Sequence, residues 1–358
     1  MKQRIAKLRH RMNELCIDAM LVSSFENYRY FSGFCGSNCK LIITQADAIL
    51  LTDGRYTEQA RTQAPDFAVL SAKGSMHDLL CEAISNTDAC KVGFETMKMS
   101  DYEASKIKNA LPNISWVPIA DFGLDFRMIK DEDEIKNIRR AVKIADDALS
   151  ALIPQIKCGM SEREIAALLE FHMAQRGSEH PAFETIAASG VRSSLPHGAP
   201  TDKKIENGDL LTLDFGACAG GYMSDITRTL WIGDPPDALK SLYAAVFDVQ
   251  RACVAAVKPG ICVSELDLLQ RKMFESRGLS EYICHSLGHG VGLEIHEAPT
   301  VSRLSDALLA PGMVITIEPG LYIPNVGGVR IEDTVLVTDC GHEVLTASPH
   351  NIKIDCNK

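Results

Sequence analysis

The stretch "HSLGHGVGLEIHEAP" carries His285, His289 and His296, spaced four and seven residues apart. Histidines so spaced can ligate zinc, yet there is no HExxH pattern and the glycines oppose a stable helix. Acidic residues on apolar strands offer a second source of ligands. In "LLTLDFGACAGGYMSDITRTLWI" two strand-like segments flank a glycine turn. A turn centred on Ala219-Gly220 puts Asp214 directly opposite Asp225, with Cβ atoms about 5 Å apart. Two facing carboxylates repel unless a cation sits between them. The alternative is a solvated aspartate pair on an edge hairpin, since Leu211, Leu213 and Phe215 take the other face. "LDFG" also resembles the magnesium motif of protein kinases, but no glycine-rich loop, strand lysine or HRD-type loop accompanies it. "GHGVG" likewise lacks the spacing of a dinucleotide-binding loop.

A second strand–turn–strand segment, "MVITIEPGLYIPNVGGVRIEDTVLV", places Glu318 and Glu332 in apolar strands. Alternation puts Arg330 on the face of Glu332. A carboxylate buried alone in such a strand is costly. One solution is an ion pair of Arg330 with Glu318 or Glu332. Another is a shared metal centre. Four carboxylates exceed the charge of one divalent cation, and two such ions would balance them. Two ions would bring a water between them towards hydroxide near neutral pH and polarise a scissile carbonyl. Oxygen-rich ligation with one or two imidazoles suits Mn²⁺, Co²⁺ or Zn²⁺.

A weak internal repeat brings these segments together. At an offset of 101, Lys157, Gly159, Glu164, Leu168, Arg176 and Gly177 fall on Lys258, Gly260, Glu265, Leu269, Arg277 and Gly278. "HGAPT" at His197 recurs as "HEAPT" at His296, and Asp214 falls on Glu318. Two related helix-plus-sheet halves would face each other across a pseudo-twofold axis, with their acidic strand residues converging. Asp225 and Glu332 then occupy the same position in the two halves.

Upstream, short apolar strands ("DAMLVSS", "CKLIIT", "DAILLTD", "KVGFE") alternate with helical segments ("GRYTEQARTQA", "SDYEASKIKNAL"), which predicts a separate α/β domain. Periodicity lapses around "WVPIADFGLDFRMI". Asp131 and Glu134 then form a capping-box start to a long helix. The expected domains are 1–125 and 126–358. With 358 residues, 46% hydrophobic and 23% charged, the chain has the length and composition of a two-domain globular protein. A net charge of −10 opposes nucleic-acid or anionic-membrane binding. No apolar run approaches the roughly 20 residues of a membrane span. The amphipathic N-terminus has no signal-peptide core. Twelve cysteines without framework spacing are expected to be reduced thiols in a cytoplasmic protein.

"HSLGHGVGLEIHE", with "LPHGAP", "LDFGACAGGYMSDITRT", "IEPG" and "GGVRIEDT" in order, resembles the proline-specific pita-bread metallopeptidases: Xaa-Pro aminopeptidase and Xaa-Pro dipeptidase (prolidase). "NYRYFSGF" and "TDGRY" resemble the creatinase-like N-terminal domain of those enzymes. The resemblance implies an α/β chain: a small N-terminal domain, then a pseudo-twofold catalytic domain. It implies two divalent ions, Mn²⁺ foremost, held by Asp214, Asp225, His289, Glu318 and Glu332. Asp225 and Glu332 would bridge, Asp214 would be terminal, and Glu318 would also shuttle a proton. His197 and His296 would contact the substrate carbonyl, His285 the proline pocket, and Arg330 would orient the carboxylates. The implied reaction is removal of an N-terminal residue before proline by a metal-bridging hydroxide, with short peptides carrying proline second as substrates and a homodimer as the assembly. Xaa-Pro dipeptidase is the alternative. Methionine aminopeptidase is disfavoured by the extra domain, and creatinase or a non-catalytic peptide-binding relative by the complete ligand set. Without the resemblance, His197 would be a loop histidine and His285 a packed core residue.

Overall fold

The computed structural model describes residues 1–120 and 122–356. The chain divides into two compact units, Met1–Arg127 and Met128–Lys358. The first unit is built on a mixed six-stranded sheet ordered Ala68–Ala72, Ala48–Asp53, Lys40–Thr44, Ala19–Val22, Lys91–Glu95, Ser115–Ile119. The amphipathic N-terminal segment is the helix Lys2–Glu14, which buries Ile5, Leu8 and Met12. The edge strand Ser115–Ile119 lies where periodicity lapses. No residue of it is buried, so no apolar alternation marks it.

In the second unit the predicted capping box is present. Glu134 N donates to Asp131 Oδ1 at 2.9 Å, and Asp131 N donates to Glu134 Oε2 at 3.0 Å. It opens the helix Glu132–Leu152, which buries Ile138, Val142, Ala145, Leu149 and Leu152. That helix and Glu162–Gln175 cover a four-stranded sheet through a core including Leu211, Leu213 and Phe215. Asp237–Ala256 and Val263–Glu275 cover a five-stranded sheet in the same way, through Ile315, Ile317 and Val335. The 101-residue offset is visible in three dimensions. Ser161 with Glu164 and Cys262 with Glu265 form capping boxes at the starts of corresponding helices. Gly159 and Gly260, with φ of 89° and 82°, precede them, and Gly177 and Gly278, with φ of 91° and 69°, follow.

The first acidic hairpin differs from expectation by one step. Its tight turn is Gly220-Gly221, both with positive φ (59° and 78°), a conformation that glycine adopts at little cost. Ala219 pairs with Tyr222, and Asp214 faces Thr227 rather than Asp225. The pairing has moved by two residues, so Asp225 keeps its predicted face and becomes a diagonal neighbour of Asp214. In the second hairpin, Ile317 pairs with Asp333, and continuing that register sets Glu318 across from Glu332. Thr227, not Asp225, therefore holds the place that corresponds to Glu332.

The expectation of twelve reduced thiols fails for one pair. Cys158 and Cys356 are disulfide-bonded across 198 residues, with Cα atoms 5.5 Å apart. The strand Lys353–Ile354 pairs with Trp231–Ile232 and carries Cys356 to Cys158. Separation in sequence hid this proximity.

A buried ion pair, Lys130 Nζ to Glu297 Oε2 at 3.2 Å, anchors the strand that follows His296. Both side chains are at most 2% exposed. Lys130→Met leaves an uncompensated buried carboxylate and is expected to cost about 3–5 kcal/mol, whereas K130M/E297L recovers most of it. Chemical denaturation of the two variants checks this, and equal loss in both would contradict it.

Candidate active site

Both acidic hairpins and the histidine segment open on one cavity of about 580 Å³ in the second unit. Asp214, Asp225, His285, His289, His296, Glu318, Arg330, Glu332 and His197 all line it. The glycines of the histidine segment have a steric reason. A Cβ on Gly288 would lie 2.1 Å from Thr316 O, and one on Gly290 would lie 2.3 Å from Ala298 O. The short strand Gly288–Gly290 is thus pressed between two neighbours, and His289 stands on it facing the carboxylates.

His289 Nδ1 donates to Gly290 O at 3.0 Å, which leaves Nε2 directed at Glu318 Oε1 (3.3 Å) and Asp225 Oδ2 (3.5 Å). Burial pushes the imidazole pKa down, but the hydrogen bond and charge of Glu318 outweigh it and raise the value. Burial pushes Glu318 up, and His289, aided by His285 and Arg330, overrides this and leaves it at about 2. Burial raises Asp225 well above the ordinary carboxylate range, and the charges of Glu332, Asp214 and Glu318 add to it. Burial, then Glu318 and Asp214, does the same to Glu332. Asp214 is raised by burial against the opposing charge of Arg330.

Arg330 pairs with neither glutamate. Its Nη2 donates to Asp214 Oδ2 at 2.6 Å, its Nη1 to Tyr322 Oη at 2.6 Å and to Pro196 O at 3.1 Å, and its Nε to Thr227 Oγ1 at 3.1 Å. Tyr322 Oη in turn donates to His285 Nε2 at 2.8 Å, and His285 Nδ1 donates to Ser286 O at 2.8 Å. Burial lowers the pKa of His285, consistent with this neutral tautomer. His296 packs edge-on against His289 with ring centres 4.3 Å apart. Its pKa is lowered by burial and by the neighbouring His289 charge.

Three supporting residues escaped sequence reasoning. Tyr322 links Arg330 to His285. Thr227 Oγ1 donates to Glu332 Oε2 at 2.8 Å, and Thr316 Oγ1 donates to Glu318 Oε1 at 3.2 Å. Period-two counting from Asp225 and Glu318 puts both threonines on the acidic face, and that signal was available.

A metal fits this cluster. Ligand atoms of Asp225, His289 and Glu332 lie within 4.8 Å of one another. Asp214 Oδ1 and Glu332 Oε1 are buried without a hydrogen-bond partner. Orphaned carboxylate oxygens beside an imidazole nitrogen form a donor set suited to a divalent ion of the Mn²⁺, Co²⁺ or Zn²⁺ kind.

A carboxylate-lined cavity between two similar helix-on-sheet halves defines a metal-dependent hydrolase. Residues 136–339 match metallopeptidase family M24, and residues 4–129 match the creatinase/prolidase N-terminal domain. The chain belongs to metallopeptidase family M24, and its second unit has the pita-bread fold. It is 42% identical to a Xaa-Pro dipeptidase of Pyrococcus furiosus, over 98% of this chain and 100% of the relative. A Xaa-Pro dipeptidase structure from Bacillus anthracis matches with a TM-score of 0.96 at 40% identity, over 99% of both chains. An X-Pro aminopeptidase structure from Thermotoga maritima matches with a TM-score of 0.89 at 39% identity, over 96% of this chain and 99% of that one.

Proposed function

We propose that this metallopeptidase hydrolyses Xaa-Pro dipeptides. The observation that carries the reading is the convergence of four carboxylates and His289 on one cavity, in a chain over 40% identical to a Xaa-Pro dipeptidase along its whole length. Release of an N-terminal residue from longer peptides, the first expectation from sequence, is the second reading. Its support is the likeness to the X-Pro aminopeptidase structure.

In this reading Asp225, Glu332, Asp214, His289 and Glu318 would hold the divalent metal. When bound, the metal would supply the charge to activate water and polarise the scissile carbonyl. Glu318, kept ionised beside His289, accepts the proton of the attacking water. His296 and His197 hold the developing oxyanion. Tyr322 fixes His285, which faces the proline ring. A proline amide has no N–H, so the site recognises the bond without a donor there.

Protein stripped by chelation and reloaded with Mn²⁺ should cleave Ala-Pro at least about tenfold more efficiently than Ala-Pro-Ala, and leave Ala-Ala intact. Preference for the tripeptide would establish the second reading. Failure on every Xaa-Pro peptide would exclude both.

A further inference from the structure

The hydrogen-bond ladder of the four-stranded sheet fixes Thr227 and Ile226, next to Asp225, and that of the five-stranded sheet fixes Asp333, next to Glu332. Neither ladder sets the distance between the two groups. Ligand positions must nevertheless hold to about 0.2 Å for a metal to bind well.

A main-chain bond crosses this seam, Glu332 N donating to Thr227 O at 3.2 Å, and side chains add to it: Thr227 Oγ1 donates to Glu332 Oε2, Thr334 Oγ1 donates to Asp225 O at 2.7 Å, and Arg228 reaches Glu332, Asp333 and Ser348. Arg228 is fully buried, and strand alternation turns it away from the face of Thr227. Its Nη1 donates to Thr227 O at 3.0 Å and also to Glu332 O. Its Nη2 donates to Asp333 Oδ1 at 2.9 Å and to Ser348 O at 2.8 Å, and its Nε to Ser348 O at 3.2 Å. A guanidinium has five N–H donors, and these contacts use all five. Asp333 is equally saturated. Oδ1 also accepts from Thr346, and Oδ2 accepts from Gln250 and His350 at 2.6 and 2.8 Å. A surface salt bridge would not require such completeness. A buried one without it would be destabilising.

We infer that Arg228, held by Asp333 and the Ser348 carbonyl, is a positioning residue that, together with the Glu332 N–Thr227 O bond, holds the spacing of Thr227 and Glu332 across the seam, and thereby the geometry of the metal ligands. The inference rests on reading Asp225 and Glu332 as ligands. Because Ser348 belongs to the C-terminal segment, that segment buttresses the site through Arg228 without touching it. Asp146 fixes the same segment by accepting from Ala347 N at 2.8 Å and Ser348 N at 2.9 Å.

The test compares R228K with T346V by Mn²⁺ titration of chelator-stripped protein, with circular dichroism and thermal melts on each. Lysine keeps the charge beside Asp333 but cannot reach both carbonyls of the seam. T346V removes a buried donor and leaves the Arg228 clamp whole. R228K should weaken Mn²⁺ binding about 10–100-fold, the range typical of supporting residues around a metal. T346V should lower the melting temperature and leave Mn²⁺ affinity within about threefold of the parent. If R228K does not fold, D333N, which frees the guanidinium from its charged partner, takes its place with the same expectation. Wild-type affinity in the folded variant overturns the inference, as does a T346V loss as large as that of R228K. Failure of the parent protein to bind Mn²⁺ instead overturns the metallopeptidase reading of the site.

Discussion

Glu332→Gln is expected to abolish peptidase activity while raising the melting temperature of the metal-free protein. Glu332 is 1% exposed, and one of its oxygens has no hydrogen-bond partner. Burial and the charges of Glu318 and Asp214 oppose its ionisation. The metal-free fold must therefore either hold a proton there or tolerate a buried anion. Glutamine keeps the shape and still accepts from Thr227, but it carries no charge. Relief of about 1 kcal/mol corresponds to roughly 2–4 °C for a unit of this size. The same change removes an anionic ligand, and loss of metal-derived stabilisation should lower kcat/KM by on the order of 10³-fold or more. Thermal melts with chelator and with Mn²⁺ separate the effects. The parent should gain stability from Mn²⁺, and E332Q should gain little. A lower chelated melting temperature in E332Q would show that Glu332 is not strained, and full Mn²⁺ stabilisation would show that it is not a ligand.

Much of this cavity was legible because the segments that carry its acidic and histidine residues repeat. The recurrence of "HGAPT" as "HEAPT", and of Asp214 as Glu318, forecast one cavity from residues a hundred positions apart. Alternation gave the correct face for Asp225 even though the register was wrong by two, because a two-residue slip preserves parity. The turn itself was misplaced, since Ala219-Gly220 and Gly220-Gly221 are both plausible pairs and only the second supplies two glycines at positive φ. What the sequence hid is long-range and polar. Nothing local in "ITRTLWI" indicates that Arg228 spends its donors on Glu332, Asp333 and Ser348. Nothing near Cys158 points to Cys356. The Arg330–Asp214 pair also could not be chosen over a glutamate partner, because alternation fixes faces within a sheet and not contacts between sheets.

Mn²⁺ affinity should rise steeply as pH increases above the ordinary carboxylate range, with protons released on binding. Asp225 and Glu332 have folded pKa values above their unfolded values near 4, and His289 is raised as well. The folded metal-free protein therefore holds more protons than the unfolded chain, and these groups make its stability fall as pH rises through those values. Glu318 runs the other way: its pKa, lowered from 4.5 to about 2, contributes stability that is full above about pH 4.5 and is lost as pH falls from there through about 2. A metal ligates only the deprotonated forms, so it reverses the first trend by displacing the protons. Displacing the two carboxyl protons of Asp225 and Glu332 makes affinity change by about 100-fold per pH unit while both remain protonated, and a proton lost from His289 steepens it further. Calorimetric titration in two buffers of different ionisation enthalpy counts the protons directly. A pH-independent affinity, with no buffer dependence of the heat, would mean that the carboxylates are already ionised in the metal-free cavity. Their charge would then have to be offset by Arg330 and His289 alone, which supply at most two positive charges against four buried negative ones.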